Sequence, residues 1–300
     1  MTCGGDERIV LRSARLVAEC AAGLGGRLSR LRLIDARGAR DLLTPLPAWG
    51  AVAWRWPKGG AYPLIPYSNR IRDATLTCGG ARTILKAHPD AAPHTLHGPA
   101  QLRPWSVLDR DEAAATLGLD HDGDADWPWP FQARQRFTIE DDELRLRIEI
   151  VNHGAAAFPA GLGWHPYLAL GFGATLRHDA RGRWAFDDDF IATGETMPAT
   201  ADFDETDYLS DWSAASIVHA DGLTVTLSAD PVFRHLVLHR PRGGAYICVE
   251  PVTHVSDGFN LRERGVEGTG ADDDLAPGAS MGGEIRLRAS RDAPNDGGAA

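Results

Sequence analysis

The sequence predicts an all-β chain, built as one large antiparallel β-sandwich or barrel-like pair of sheets. Three observations carry that expectation. The dominant hydrophobic period is two, not 3.6. Glycine and proline punctuate the apolar runs densely, as in GLGGR, PKGG, CGG, PRGG and APGA, which suits turns between many short strands. No long apolar segment with helical spacing competes, and one short helical turn is expected at residues 112–117.

The alternation is clearest at residues 143–151, where Leu144, Leu146, Ile148 and Ile150 interleave with Arg145, Arg147 and Glu149. Leu223, Val225 and Leu227 against Thr224, Thr226 and Ser228 repeat it, as do Ile285 and Leu287 near the end. With 43% hydrophobic residues among 300, the chain can bury a sizeable core, and no linker divides it. A single domain is expected over residues 1–289, followed by a polar, glycine-rich tail, SRDAPNDGGAA, expected to be disordered over 290–300.

A formal net charge of -10 argues against nucleic acid or an anionic membrane as partner, because phosphate binding needs a basic footprint. The natural partner is a small, neutral molecule. The four cysteines, at 3, 20, 78 and 248, form no metal-binding or redox pair and read as free thiols in a reducing compartment. The first twenty residues interrupt every apolar run with charge, so neither a secretory signal nor a membrane span is read there, and a cytoplasmic location is expected.

Several segments carry chemistry. In YPLIPYSNRIRD, Asn69 and Arg70 follow an apolar stretch broken by Pro63 and Pro66; Arg70 offers a hydrogen-bonding fork or a surface charge. In HTLHG, His94 and His97 would face opposite ways on a strand, so one of them is structural. The acidic run Asp120, Asp122, Asp124, Asp126 fails as a calcium loop, since its glycine comes too early and Phe131 stands where the bidentate glutamate belongs. Trp127-Pro128-Trp129-Pro130-Phe131 could wall a sugar site or cap a sheet edge. In GLGWHPYLAL, Gly161, Gly163, His165 and Tyr167 share one strand face. Glycines beside a histidine suggest open space for a ligand, and Pro166 is expected to end the ladder; a histidine satisfied by a carbonyl is the structural reading.

Tyr246, Cys248 and Glu250 share one face of the run YICVE, with Pro251 behind. A carboxylate half-removed from water on a rigid strand is how an enzyme holds a general base, although an arginine-paired structural glutamate has the same pattern. Three further chemistries are compatible with these residues. A glycoside hydrolase would pair Glu250 with Asp207 or a loop aspartate. A metal enzyme would ligate through His97, His165 and Glu250. A binding domain would use the same groups without catalysis.

From about residue 5 to residue 289, the chain resembles the aldose 1-epimerase (galactose mutarotase) family. The motifs PLIPYSNRI, HTLHG, GLGWHPYLAL and CVEPVTH occur in the family's order. The resemblance implies a "supersandwich" β-fold and interconversion of the α and β anomers of a free aldohexose, with no metal or organic cofactor. Glu250 would be the base and His165 the acid, flanking the hemiacetal carbon, with Glu250 ionised and His165 protonated near pH 7. Arg70, His97 and Asn69 would bind the sugar, and His97 could share the acid role. The family's sugar-binding aspartate precedes a Phe-x-Gly-Trp stretch; here Leu209 and Asp211 stand at the Phe and Gly positions, and Asp207 falls nearest. Alternatives are a hexose-6-phosphate mutarotase, for which Arg72, Arg103 and Lys86 would supply cations, or a non-catalytic carbohydrate-binding protein on the same fold.

Overall fold

Period-two patterning becomes strand throughout. In the computed structural model, which describes residues 8–47, 58–202 and 204–291, the run at 143–151 is the strand Glu143–Asn152. Leu144, Leu146, Ile148 and Ile150 turn inward and are buried, while Arg145 and Arg147 stand in solvent. Leu223–Ala229 and Ser280–Arg291 alternate in the same way. Each such leucine contributes about 2 kcal/mol by leaving water.

The strands form an eleven-stranded and an eight-stranded sheet, with two small two-stranded ribbons. Apolar side chains from both large sheets merge into one core, which is the expected sandwich. Among the described residues the one α-helix is Gly258–Glu263, and no helix is long and apolar enough to cross a membrane.

Two expectations are corrected. Residues 112–117 make no helical turn: Ala114–His121 is a strand that buries Ala115 and Leu117 against Phe131–Glu140. Pairing and burial override the local helix propensity of three consecutive alanines. The final strand also runs two residues into the expected tail, with Ser290 and Arg291 paired to Thr224 and Leu223. Residues 292–300, like Cys3, lie outside the described residues.

The larger sheet positions the site. Its strands Ala61–Leu64, Gly163–Ala169, Tyr246–Val252, His235–His239, Thr206–Ser210 and Gly182–Phe186 are neighbours in that order. One face sends Ile247, Val249, Leu236, Leu238 and Leu209 into the shared core. The opposite face carries Tyr62, Tyr167, Cys248, Val237, Tyr208 and Trp184 in a second cluster, covered by Val255 and Leu261 from the helical segment.

Candidate functional site

On that second face, the two proline-bearing strands meet. The strand Gly163–Ala169 pairs with Tyr246–Val252 at Gly163↔Val252 and again from Tyr167↔Cys248 onward. The same register sets His165 opposite Glu250, in the interval where the ladder lapses. The prolines explain the lapse. Tyr167 donates its N–H to Gly60 on the other side, so Pro166 is the residue that faces the Glu250 strand, and it has no N–H to give. Pro251 faces back with the same lack. Pro166 does not end its strand, contrary to expectation, since it stays paired with Ala61, and Pro251 likewise stays paired with Leu236. His165 and Glu250 therefore form a non-hydrogen-bonded cross-strand pair, the kind whose side chains stand closest. Nε2 of His165 lies 3.2 Å from Oε1 of Glu250, and both side chains are buried.

Two loops complete the site. Gly98 (φ +66) lets them touch, since a Cβ there would lie 2.2 Å from the carbonyl oxygen of Ile65. The backbones then lock: His97 donates its N–H to the Asn69 carbonyl at 2.8 Å, and Asn69 donates its N–H to Nδ1 of His97 at 3.1 Å. Because Nδ1 accepts, the proton of neutral His97 sits on Nε2. His97 reaches the pair, its ring centroid 5.3 Å from that of His165 and edge-on to it. Asn69 adopts a left-handed conformation (φ 58) that asparagine tolerates well. Its amide is spent on the protein, donating to the Tyr208 hydroxyl at 2.9 Å and accepting from Arg70 at 3.3 Å. These bonds fix the position of the loop. The Arg70 guanidinium stacks 5.0 Å over the Phe190 ring.

Burial dominates the electrostatics. Loss of water pushes the Glu250 carboxyl well above its usual range, opposed by Lys58, and pushes His165 and His97 well below theirs. Both directions favour the neutral forms, against the expected ionised Glu250 beside protonated His165. Of the pair's two one-proton forms, burial favours the one with the proton on Glu250. No six-membered ring fits between atoms 3.2 Å apart.

Other expected residues lie elsewhere. Asp207 is fully buried on the core face, between Thr206 and Tyr208, in an ion pair with Nε of Arg183 at 2.7 Å. Tyr208 takes the site face instead, because the period is two. Gly161 and Gly163 make room for protein, since a Cβ would strike His254 at 2.2 Å and Val252 at 2.8 Å respectively. Trp127 and Phe131 are buried in the core. Trp127 backs Tyr67 of the Asn69 loop at 5.5 Å and does not wall the site. Arg72 pairs with Asp187, Arg103 with Asp124 and Asp126, and Lys86 with Asp126, so these cations do not converge on the site. His94 is the structural member of its pair, accepting the Asp73 N–H at 2.9 Å.

Several site residues escaped the sequence reading. Tyr62 stacks on His165 with ring centroids 4.5 Å apart, and the guanidinium carbon of the buried Arg27 lies 4.4 Å from the Tyr62 ring centroid. His254 braces the Asn69 loop by accepting the Ser68 N–H at 3.2 Å. Lys58 and His239 act on His165 electrostatically. The alternation in AYPL is the signal that could have placed Tyr62 beside a strand-borne histidine. Of possible metal ligands, His165, Cys248 and Glu250 stand within 4.8 Å of one another, so Cys248 takes the place expected of His97.

This architecture is that of the galactose mutarotase-like β-sandwiches. A galactose mutarotase-like protein from Clostridium acetobutylicum superposes with a TM-score of 0.81 at 18% identity, covering 95% of each chain. A GalM/aldose epimerase homologue from C. elegans gives 0.80 at 17% identity, covering 96% of this chain and 99% of that one. The sequence also resembles the uncharacterized protein YphB of Escherichia coli K12, 24% identical over 265 residues, 82% of this chain and 89% of YphB. The aldose 1-epimerase family model matches residues 7–219, and the chain belongs to that family. Glu250 lies beyond the matched residues.

Proposed function

We propose that the protein is an aldose 1-epimerase that interconverts the α and β anomers of a free aldohexose, with His165 and Glu250 acting as one acid–base pair. The single observation that carries this reading is their 3.2 Å approach on a buried, proline-opened sheet face, beside His97 and Arg70. In a pyranose the C1 hydroxyl and the ring oxygen are attached to the same carbon. Two groups side by side can therefore serve both. In the working arrangement the shared proton stands on His165: Glu250 takes the C1 hydroxyl proton, His165 protonates the ring oxygen, and the C1–O5 bond breaks to give the open aldehyde. Ring opening leaves the pair's single proton on Glu250; rotation about C1–C2 and closure with the roles reversed yields the other anomer and returns that proton to His165. Nε2–H of His97 and the Arg70 guanidinium hold sugar oxygens.

A hydrolase is disfavoured, because Asp207 faces away from Glu250 and cannot act with it across a glycosidic bond. A phosphorylated hexose is the second reading, favoured by Lys58, whose charge is felt by Glu250, His165 and His97. The test is anomer exchange followed by polarimetry and saturation-transfer NMR on glucose, galactose and their 6-phosphates. Acceleration of the free sugars is expected. Acceleration of the phosphates alone would select the second reading, and sugar binding without acceleration would make the protein a carbohydrate-binding module.

A further inference from the structure

The acid–base pair has a third buried neighbour that the proposed reaction does not use. Cys248 is on the same strand face as Glu250, two residues earlier, and is fully buried. One ligand atom from each of His165, Cys248 and Glu250 lies within 4.8 Å of the other two. We infer that these three side chains form a site for a thiophilic divalent cation, zinc or cadmium, and that the cation and proton transfer by the pair exclude each other.

The donor set is an imidazole nitrogen, a thiolate sulfur and a carboxylate oxygen, all of them zinc ligands, and three protein ligands leave a fourth position open. Tetrahedral bonds of about 2.0 Å to N or O and about 2.3 Å to S separate ligand atoms by about 3.3–3.7 Å. The His165–Glu250 edge is already 3.2 Å, and the 4.8 Å bound on the cluster leaves the thiol at most about 1.5 Å to move. His97 is less suited to this set, because its Nδ1 is occupied by the Asn69 N–H. The cluster His94, Asp73 and Asp189 offers only exposed carboxylates at 3.8 and 3.6 Å and lacks sulfur. Binding is balanced in charge. The dication displaces the thiol proton and the proton shared by the pair, releasing two protons and leaving a neutral complex. With that shared proton gone, the pair cannot perform acid–base chemistry.

The test uses the full chain and the metal alone. Equilibrium dialysis with zinc is expected to give one ion per chain, and cobalt(II) is expected to show a thiolate-to-cobalt charge-transfer band in the near ultraviolet. Cys248→Ser or Cys248→Ala should abolish the band and weaken zinc binding at least tenfold. A wild-type protein with no such band, or a band that survives both variants, overturns the site. The exclusion rests on the mutarotase reading: exchange should fall in step with zinc occupancy and return with EDTA. Undiminished exchange at full occupancy overturns the exclusion. A protein that binds zinc in this way and never exchanges anomers sinks the mutarotase reading and leaves the site standing.

Discussion

On the strand Tyr246–Val252, neighbours one residue apart sit in different chemistry. Ile247 and Val249 enter the core between the large sheets, while Cys248 and Glu250 face aromatic rings and histidines. The same split runs along Gly163–Ala169, with Trp164 and Leu168 inside and His165 and Tyr167 outside. Both faces are buried, so burial does not separate them. What separates them is the partner set: the inner face is filled by aliphatic packing, and the outer face by groups that can share protons. A sheet can thus carry a desolvated acid–base pair one residue away from an aliphatic core, because alternation sends successive side chains to opposite faces.

The largest expected effect tests that separation directly. Glu250→Gln should lower anomer exchange by about 10²- to 10⁴-fold while leaving the thermal midpoint equal or higher, since it removes a buried ionisable group. Equal losses of activity and stability would mean that the faces are not separate. Its inner counterpart, Val249→Ala, should cost about 2 kcal/mol in urea unfolding with exchange at the native rate.

A pH experiment probes the support behind the outer face. Burial holds His254 at about 4 in the folded protein, below the ordinary 6.5 of the unfolded chain. As pH falls the unfolded chain takes up that proton first, so the stability contribution is complete above about pH 7 and is lost from 6.5 down through 4. Between pH 7 and 5 the loss from this residue is about 2 kcal/mol, and His254→Gln should flatten the curve by that amount. The smallest effect is kinetic silence at Asp207. Asp207→Asn should leave KM for sugar unchanged, while breaking the Arg183 pair lowers stability by about 2 kcal/mol, a value discounted for the partly exposed arginine. A KM that rises tenfold would return Asp207 to the sugar site.

Much of this was legible in the chain. Alternation at 143–151 named its strand and its buried leucines, and the Tyr246 run assigned Glu250 to the correct face. The pairing of His165 with Glu250 followed from chemistry, but its closeness did not, because register between strands 85 residues apart is set by the whole sheet. Asp207 was misplaced for a reason visible in hindsight. Its neighbour Tyr208 has the aromatic bulk of the outer face, and period two then forces Asp207 inward. The glycines at 161 and 163 signalled close approach correctly and its object wrongly, since one sequence cannot tell a ligand from a distant side chain such as His254. Arg27 and Lys58 stand in no chemical motif, and Tyr62 shows only through the alternation in AYPL.

The order of strands bears on how the molecule is assembled. Tyr246–Val252 fills the slot between Gly163–Ala169 and His235–His239, although it is made long after the former. Until residue 252 is available, the large sheet is two pieces, each with an open edge ready to pair with the wrong partner. Inserting this one strand seals both edges and delivers Glu250 to His165 in the same step. Closure of the sheet and completion of the reactive pair are a single event, so a nascent chain never presents one without the other.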